Sequence, residues 1–233
     1  MSVPFFYEPL IATGMTQFTM SEISSKHCVQ VLRMDVGEKI DLTNGTGGLF
    51  HASIQVAHKK NALVTITKAI QTERPKQKLQ LGISILKNAV RLEWLFEKAT
   101  EMGITTITPL VCERTIHERF KTERMQQIIQ SAMIQSQQTW LPVLTEPMSF
   151  PQFIEQVTAV QKLIAHCEPL NKTSIKSIEA SEDLVLIIGP EGDFAPSEIE
   201  AAIAKDYKPI DLGPTRLRTE TAGIFALSVL KNF

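Results

Sequence analysis

The sequence predicts a chain in two parts: a small β-rich unit over residues 1–72, then an α/β unit over 73–233 with a mostly parallel sheet covered by helices. Three observations carry this prediction. Apolar and β-branched residues cluster in short runs at 38–42, 49–56 and 62–70, the spacing of strands joined by turns. From residue 79 onward, apolar runs of strand length alternate with segments of helical period, the pattern of parallel strands with crossover helices. Between the two, residues 71–78, QTERPKQK, are polar, charged and proline-bearing, the composition of a boundary between compact units.

In the first unit the sequence predicts a helix from a Ser21 cap, with Glu22 behind it, to Leu32. Arg33-Met34-Asp35-Val36-Gly37 then turns the chain into the next strand, and Asn44-Gly45-Thr46-Gly47-Gly48 tolerates the positive φ of a tight turn. In the second unit, extended segments are predicted at 79–86, 105–110, 163–166, 184–188 and 209–212, with helices at 92–102, 123–137, 196–204 and 219–230. Leu92, Leu95, Phe96, Ala99 and Met102 form one apolar stripe, and Gly103 stops that helix. The last helix, carrying Ile224, Phe225, Ala226, Leu227, Val229 and Leu230, is apolar nearly all round, so it is either a central core helix or a subunit interface. Residues 171–183 are polar with no apolar period and read as a mobile surface loop.

With 233 residues, 43% hydrophobic and 21% charged, the chain can bury a substantial core, which excludes disorder throughout. Lys and Arg number 24 against 25 Asp and Glu, so nucleic-acid binding must come from local basic patches, and a histone-like binder is excluded. Cys28, Cys112 and Cys167 are far apart and odd in number, with no C-x-x-C and no His pair at ligand spacing; neither a disulfide framework nor a metal site is expected. No apolar run approaches a membrane span, and Pro4, Glu8 and Pro9 stand where a signal peptide needs a basic region and an apolar block. A cytoplasmic protein without a membrane partner is expected.

Residues 186–194, LIIGPEGDF, form an apolar strand running into a turn with Gly189, Pro190 and Gly192, followed by a helix with Pro196 in its first turn. In an α/β sheet this is the strand-end position where ligands bind; the glycines let backbone groups approach a ligand, and Glu191 supplies the turn's carboxylate. No Gly-Lys-Ser/Thr follows, so this is not a P-loop; nor is 45–48 a dinucleotide loop, since Phe50 takes the third glycine position and a strand follows. Residues 212–222, LGPTRLRTETA, have the same design of strand end, Gly-Pro turn and helix start, with Thr219 expected as the cap and Glu220 in the first turn. Arg216 and Arg218 oppose the helix macrodipole at that end, so they read as binders of an anionic group. Two such loops describe a ligand pocket without naming its chemistry.

These two motifs, with RLEWLFEKATEMGITTITPL at 91–110, together resemble the RsmE-type family of 16S ribosomal RNA uridine N3-methyltransferases within the SPOUT superfamily. His27 and VLRMDVGEKIDL at 31–42 are similar to that family's PUA-like RNA-binding domain, so the resemblance spans nearly the whole chain. It implies a PUA-like β-barrel at 1–72 and a SPOUT domain with a trefoil knot at 73–233. It also implies a homodimer, S-adenosylmethionine as methyl donor, and 16S rRNA of the small ribosomal subunit as partner. The chain departs from the family's pattern at 134–138, where Ile134 precedes Gln135-Ser136 and Gln138 follows, in place of an acidic residue and an arginine.

Uracil N3 holds a proton with a pKa on the order of 9 to 10, so its methylation needs a proton acceptor and a cation for the anion that forms. Arg218 is expected to hold the anionic uracil or its phosphate, with Glu220 the first and Glu191 the second candidate for proton acceptor. By resemblance, Gly189, Glu191, Gly192, Leu212, Gly213, Leu217 and Thr219 line the cofactor loops, and His166 ends the strand facing the adenosine, with a packing or backbone role. Lys26 and Arg33 in the first domain and Arg91 and Arg114 in the second are the expected RNA contacts. The alternatives are another SPOUT enzyme acting on a tRNA base or a ribose 2'-hydroxyl, and a ribosome assembly factor without catalysis. The N-terminal match argues against the former and the intact LRTETA segment against the latter.

Overall fold

Along Gly48–Val56, Gly48, Phe50, Ala52 and Ile54 are buried while Leu49, His51 and Ser53 are half-buried, the two-residue period of a strand with one face on a core. That period recurs through the first unit of the computed structural model, which describes residues 3–117 and 119–231. The chain divides into two units, Met1–Arg74 with Met133–Leu141, and Pro75–Ala132 with Pro142–Phe233.

The first unit holds β1 (Phe5–Tyr7), β2 (Gln17–Thr19), α1 (Glu22–Lys26), β3 (Lys39–Thr43), β4 (Gly48–Val56) and β5 (Leu63–Gln71). Its sheet runs β1-β3-β4-β5-β2 and folds over Phe6, Ile11, Met20, Ile40, Leu42, Phe50, Ile54 and Val64. The cap at Ser21 is present: its Oγ accepts from the Ser24 amide at 3.3 Å. The helix continues past α1 as one π turn, His27–Val31, and ends before Arg33, whose φ is 56°.

The glycine-rich turn between β3 and β4 has a partner the sequence did not announce. Thr139 O accepts from the Gly47 amide at 2.8 Å, and Trp140 covers Gly47, where φ is 91° and a Cβ would collide with Trp140 and Gln71. Glycine is required there both for its φ and for the close approach. Met133–Leu141 thus packs with the first unit, although the sequence predicts a second domain unbroken over 73–233. The reason is this long-range contact, which no local pattern encodes.

The second unit contains β6 (Lys78–Ser84), α2 (Ala89–Glu101), β7 (Thr106–Val111), α3 (Thr122–Gln135), β8 (Val143–Leu144), β9 (Met148–Ser149) and α4 (Phe150–Gln156). It continues with β10 (Gln161–Ala165), β11 (Thr173–Ser174), β12 (Asp183–Ile188), α5 (Pro196–Ala204), β13 (Lys208–Asp211) and α6 (Thr219–Leu230). The sheet order is β11-β13-β10-β12-β6-β7-β8, with β9 also on β7, and every pairing is parallel. Leu184 to Ile188 on β12 are all buried, as a strand covered on both faces requires. No helix among the described residues is long and apolar enough to cross a membrane.

The stripe on α2 is buried at Leu92, Leu95, Phe96 and Ala99, and Gly103 follows with φ 76°. On α6, Gly223 lets Leu95 of α2 approach: an added Cβ would sit 2.9 Å from Leu95 Cδ1. Two expectations are corrected. Residues 171–183 are not a bare loop, because Thr173–Ser174 pairs with Ile210 and Asp211 of β13 and Ile175 is buried. Backbone pairing at a sheet edge needs no apolar period. The N-cap of α6 is Arg218, not Thr219, which is its first helical residue.

Candidate active site

Because all the strands of this sheet run parallel, the segments after β10, β12 and β13 leave it at the same edge. Ligands of open α/β sheets bind at this edge, outside the carboxyl ends of the strands. The three segments, with the first turn of α6, enclose a cavity of about 700 Å³. Ala165 and Ile188, the last residues of β10 and β12, form part of its apolar floor.

The cavity brings together His166, Gly189, Glu191, Gly192, Leu212, Gly213, Leu217, Arg218, Thr219 and Glu220, and also Arg91 and Arg114. Lys26 and Arg33 lie in the first unit, both exposed. Gly213 has φ 119° and open space around its Cβ position, whereas a Cβ on Gly189 would come 3.0 Å from Phe194 Cδ2. Glycine is therefore needed at 213 by its backbone and at 189 by its packing.

Asp193, which the sequence reading passed over, ties two of these loops together. Its φ is 65°, one oxygen accepts from the Cys167 amide at 2.7 Å, and the other accepts from the Phe194 amide at 2.9 Å. Arg114 Nη1 donates to Gly192 O at 3.0 Å and Phe194 O at 3.3 Å, so its guanidinium braces the glycine turn. Glu198 is a second unannounced tie, accepting from the Glu113 and Ala195 amides, each at 2.9 Å. Its place three residues into a helix after Ala195 was the signal available for it.

Charge is divided around the cavity. Arg216 and Arg218 are exposed, and Arg218 makes no side-chain cap to α6. Glu220 is buried with Oε1 3.6 Å from Arg91 Nε. Glu191 is exposed, and its Oε1 accepts from the Lys87 amide at 3.0 Å. His166 is 7% exposed, with neither ring nitrogen hydrogen-bonded among the described residues. Burial, and then the charge of Lys172, push its pKa below the ordinary histidine value. Burial, and then Asp193, raise that of Cys167, which keeps it a thiol and not a nucleophilic thiolate at neutral pH.

A family model described as RNA methyltransferase domain matches residues 72–231, and one described as RNA methyltransferase PUA domain matches 24–67. The ribosomal RNA small subunit methyltransferase E of Synechocystis sp. is 32% identical over 217 residues, covering 90% of this chain and 71% of that protein. The chain belongs to the ribosomal RNA small subunit methyltransferase E family. Two solved structures extend the likeness over nearly the whole chain. A Legionella pneumophila methyltransferase in complex with the bound cofactor SAM has a TM-score of 0.89 at 33% identity, covering 99% of this chain and 97% of that one. The Neisseria gonorrhoeae methyltransferase E bound to S-adenosyl methionine has a TM-score of 0.88 at 27% identity, covering 97% and 96%.

Proposed function

We propose that this methyltransferase E relative transfers a methyl group from S-adenosylmethionine to N3 of a uridine in 16S rRNA of the small ribosomal subunit, in the cytoplasm. The observation that carries the reading is the cavity at the ends of β10, β12 and β13, where glycine backbone, carboxylates that include Glu191 and Glu220, and an arginine at a helix start surround a space of about 700 Å³. Its residues fit the donor. The volume lies within the usual range for small-molecule sites, Gly213 leaves its Cβ position open, and the buried His166 nitrogens lack partners among the described residues. Gly189, Gly192, Leu212, Gly213, Leu217 and Thr219 hold the donor on this reading, mainly through backbone.

When bound, S-adenosylmethionine supplies a methyl on a cationic sulfur, and the S–C electron pair stays with sulfur as the N3–C bond forms. Arg218 faces the negative charge that develops on the uracil once its N3 proton departs. Glu191 receives that proton and passes it to water. What supports Glu191 over Glu220 is their placement: Glu220 is buried and already set against Arg91, while Glu191 is exposed and accepts from only a backbone amide among the described residues. Lys26 and Arg33, beside the exposed Val31 and Leu32, give the first unit a basic and apolar surface for RNA.

The SPOUT trefoil knot and the homodimer belong to the same proposal. Exposed Val90 and Trp94, one turn apart on α2, support an interface there. The test is methyl transfer from labelled S-adenosylmethionine to small subunits of a strain lacking the protein, with the modified nucleotide mapped. Label on N3 of one 16S uridine is expected; label on tRNA, on a ribose, or on neither would overturn the assignment.

A further inference from the structure

A second cavity, of about 600 Å³, opens beside the donor cavity and shares two of its walls, Arg91 and Glu191. Its other residues are Lys87, Asn88, Ala89 and Ile116. We infer that this cavity holds the acceptor nucleotide, with its phosphate on Lys87, its pyrimidine ring on Ile116 and its N3 edge turned to Glu191. This inference rests on the reading that the neighbouring cavity binds S-adenosylmethionine.

A methyl acceptor must reach the donor's sulfur-bound carbon within bonding range, so its site shares a wall with the donor site, as this cavity does. Charge then selects the ligand. Lys87 is exposed and makes no ion pair among the described residues, and Arg91, engaged with Glu220 through Nε, is also cationic. Two cations in the lining of one cavity suit a phosphodiester, and the Lys87 ammonium acts on it as a point charge. Surface chemistry selects the base. Ile116 is 59% exposed on the segment after β7, and an unstacked base needs an apolar face to replace the stacking it leaves. A single exposed isoleucine is ordinary; one on the wall of a cationic cavity next to a donor site offers that face where it is needed. Finally, the Lys87 amide fixes Glu191 through Oε1, which leaves Oε2 to accept from N3–H.

Lys87 and Ile116 are both solvent-exposed, so Lys87→Ala and Ile116→Ala preserve the fold. The full-length protein is used, with small subunits from a strain lacking it and with S-adenosylmethionine alone. Lys87→Ala is expected to raise KM for subunits, and to make the dependence of log KM on log salt shallower by about 0.7, the effect of losing one contact to single-stranded phosphate. Ile116→Ala is expected to raise KM several-fold without changing the salt slope. Both are expected to keep wild-type affinity for S-adenosylmethionine, measured by calorimetry. In subunits substituted with 4-thiouridine, the crosslink is expected on the peptide containing Ile116. Loss of S-adenosylmethionine affinity in Lys87→Ala would assign the cavity to the donor's carboxylate, and would overturn the inference while leaving the proposed activity standing. An unchanged KM and salt slope, or a crosslink elsewhere, would also overturn it. A wild-type protein that fails to bind S-adenosylmethionine would overturn the proposed activity and this inference with it.

Discussion

Arg91 Nε on α2 stands 3.6 Å from Glu220 Oε1 on α6, which joins the first turns of two helices at the rim of the donor cavity. The side chains are 37% and 10% exposed, so solvent screens the arginine side and the pair is expected to contribute about 0.5 to 1 kcal/mol. A double-mutant cycle on Arg91→Ala and Glu220→Gln, read by urea unfolding, measures that coupling. Strictly additive losses would mean that the approach carries no interaction. Kinetics separate the two carboxylates: Glu220→Gln is expected to lower kcat about tenfold, and Glu191→Gln about 100-fold.

Gly189 and Gly192 sit three residues apart in one turn, yet their substitutions should fail differently. An added Cβ at Gly189 meets Phe194 at 3.0 Å, whereas at Gly192 it meets Arg114 Cβ at an ordinary 3.5 Å. Gly189→Val is expected to destabilise the fold by about 1 to 3 kcal/mol through overpacking. Gly192→Val is expected to unfold near the wild-type midpoint but to bind S-adenosylmethionine at least tenfold more weakly, because the valine branches stand where the donor must approach backbone. Calorimetric titration beside thermal unfolding checks both. Normal binding by folded Gly192→Val would remove that residue from the donor site.

Those two glycines mark what the sequence made legible. Strand end, Gly-Pro turn and helix start are local patterns, so LIIGPEGDF and LGPTRLRTETA could be read as loops of one site before any strand was paired. The alternation of strands and helices likewise implied parallel pairing. What stayed hidden depends on distant partners. Asp193 looks like one more acid in a turn until Cys167, 26 residues earlier, donates to it. Arg114 carries no local sign that it braces the carbonyls of Gly192 and Phe194. The turn at Gly47 predicts a positive φ but not Trp140, and Thr173–Ser174 forms a strand through backbone bonds to β13 that no side-chain period reports.

His166 gives the fold a pH dependence whose sign follows from its burial. In the unfolded chain a histidine takes up a proton near pH 6.5, whereas the folded ring, with its pKa lowered by burial and Lys172, resists protonation. The unfolded state then binds more protons below pH 6.5. The contribution is present in full above that value, is lost as pH falls towards the lower folded pKa, and is flat beyond it. His166→Phe removes this term and also the two unpartnered ring nitrogens, so it should be at least as stable as wild type near neutrality. Urea midpoints at about pH 7.5 and about pH 5.5 should fall less for His166→Phe than for wild type. Equal falls would show that His166 titrates alike in both states.

Arg218 is the most exacting test of the chemistry assigned to this cavity. It is exposed, it serves as the N-cap of α6 through its backbone alone, and no side-chain cap bond would be lost with it. Arg218→Ala should therefore leave unfolding and S-adenosylmethionine affinity close to wild type. A cation at a helix start gains nothing from the macrodipole, so its value must lie in an anionic ligand, here the uracil anion as N3 loses its proton. Loss of one charged stabiliser of a developing anion is expected to slow single-turnover methyl transfer about 100-fold or more. Arg218→Lys should recover only part of that rate, because a point charge does not reproduce a planar two-pronged contact. The measurement is single-turnover transfer to purified small subunits at saturating S-adenosylmethionine. A wild-type rate in Arg218→Ala would reduce the residue to a surface charge, and a loss of donor affinity would move it into the donor site and away from the uracil anion.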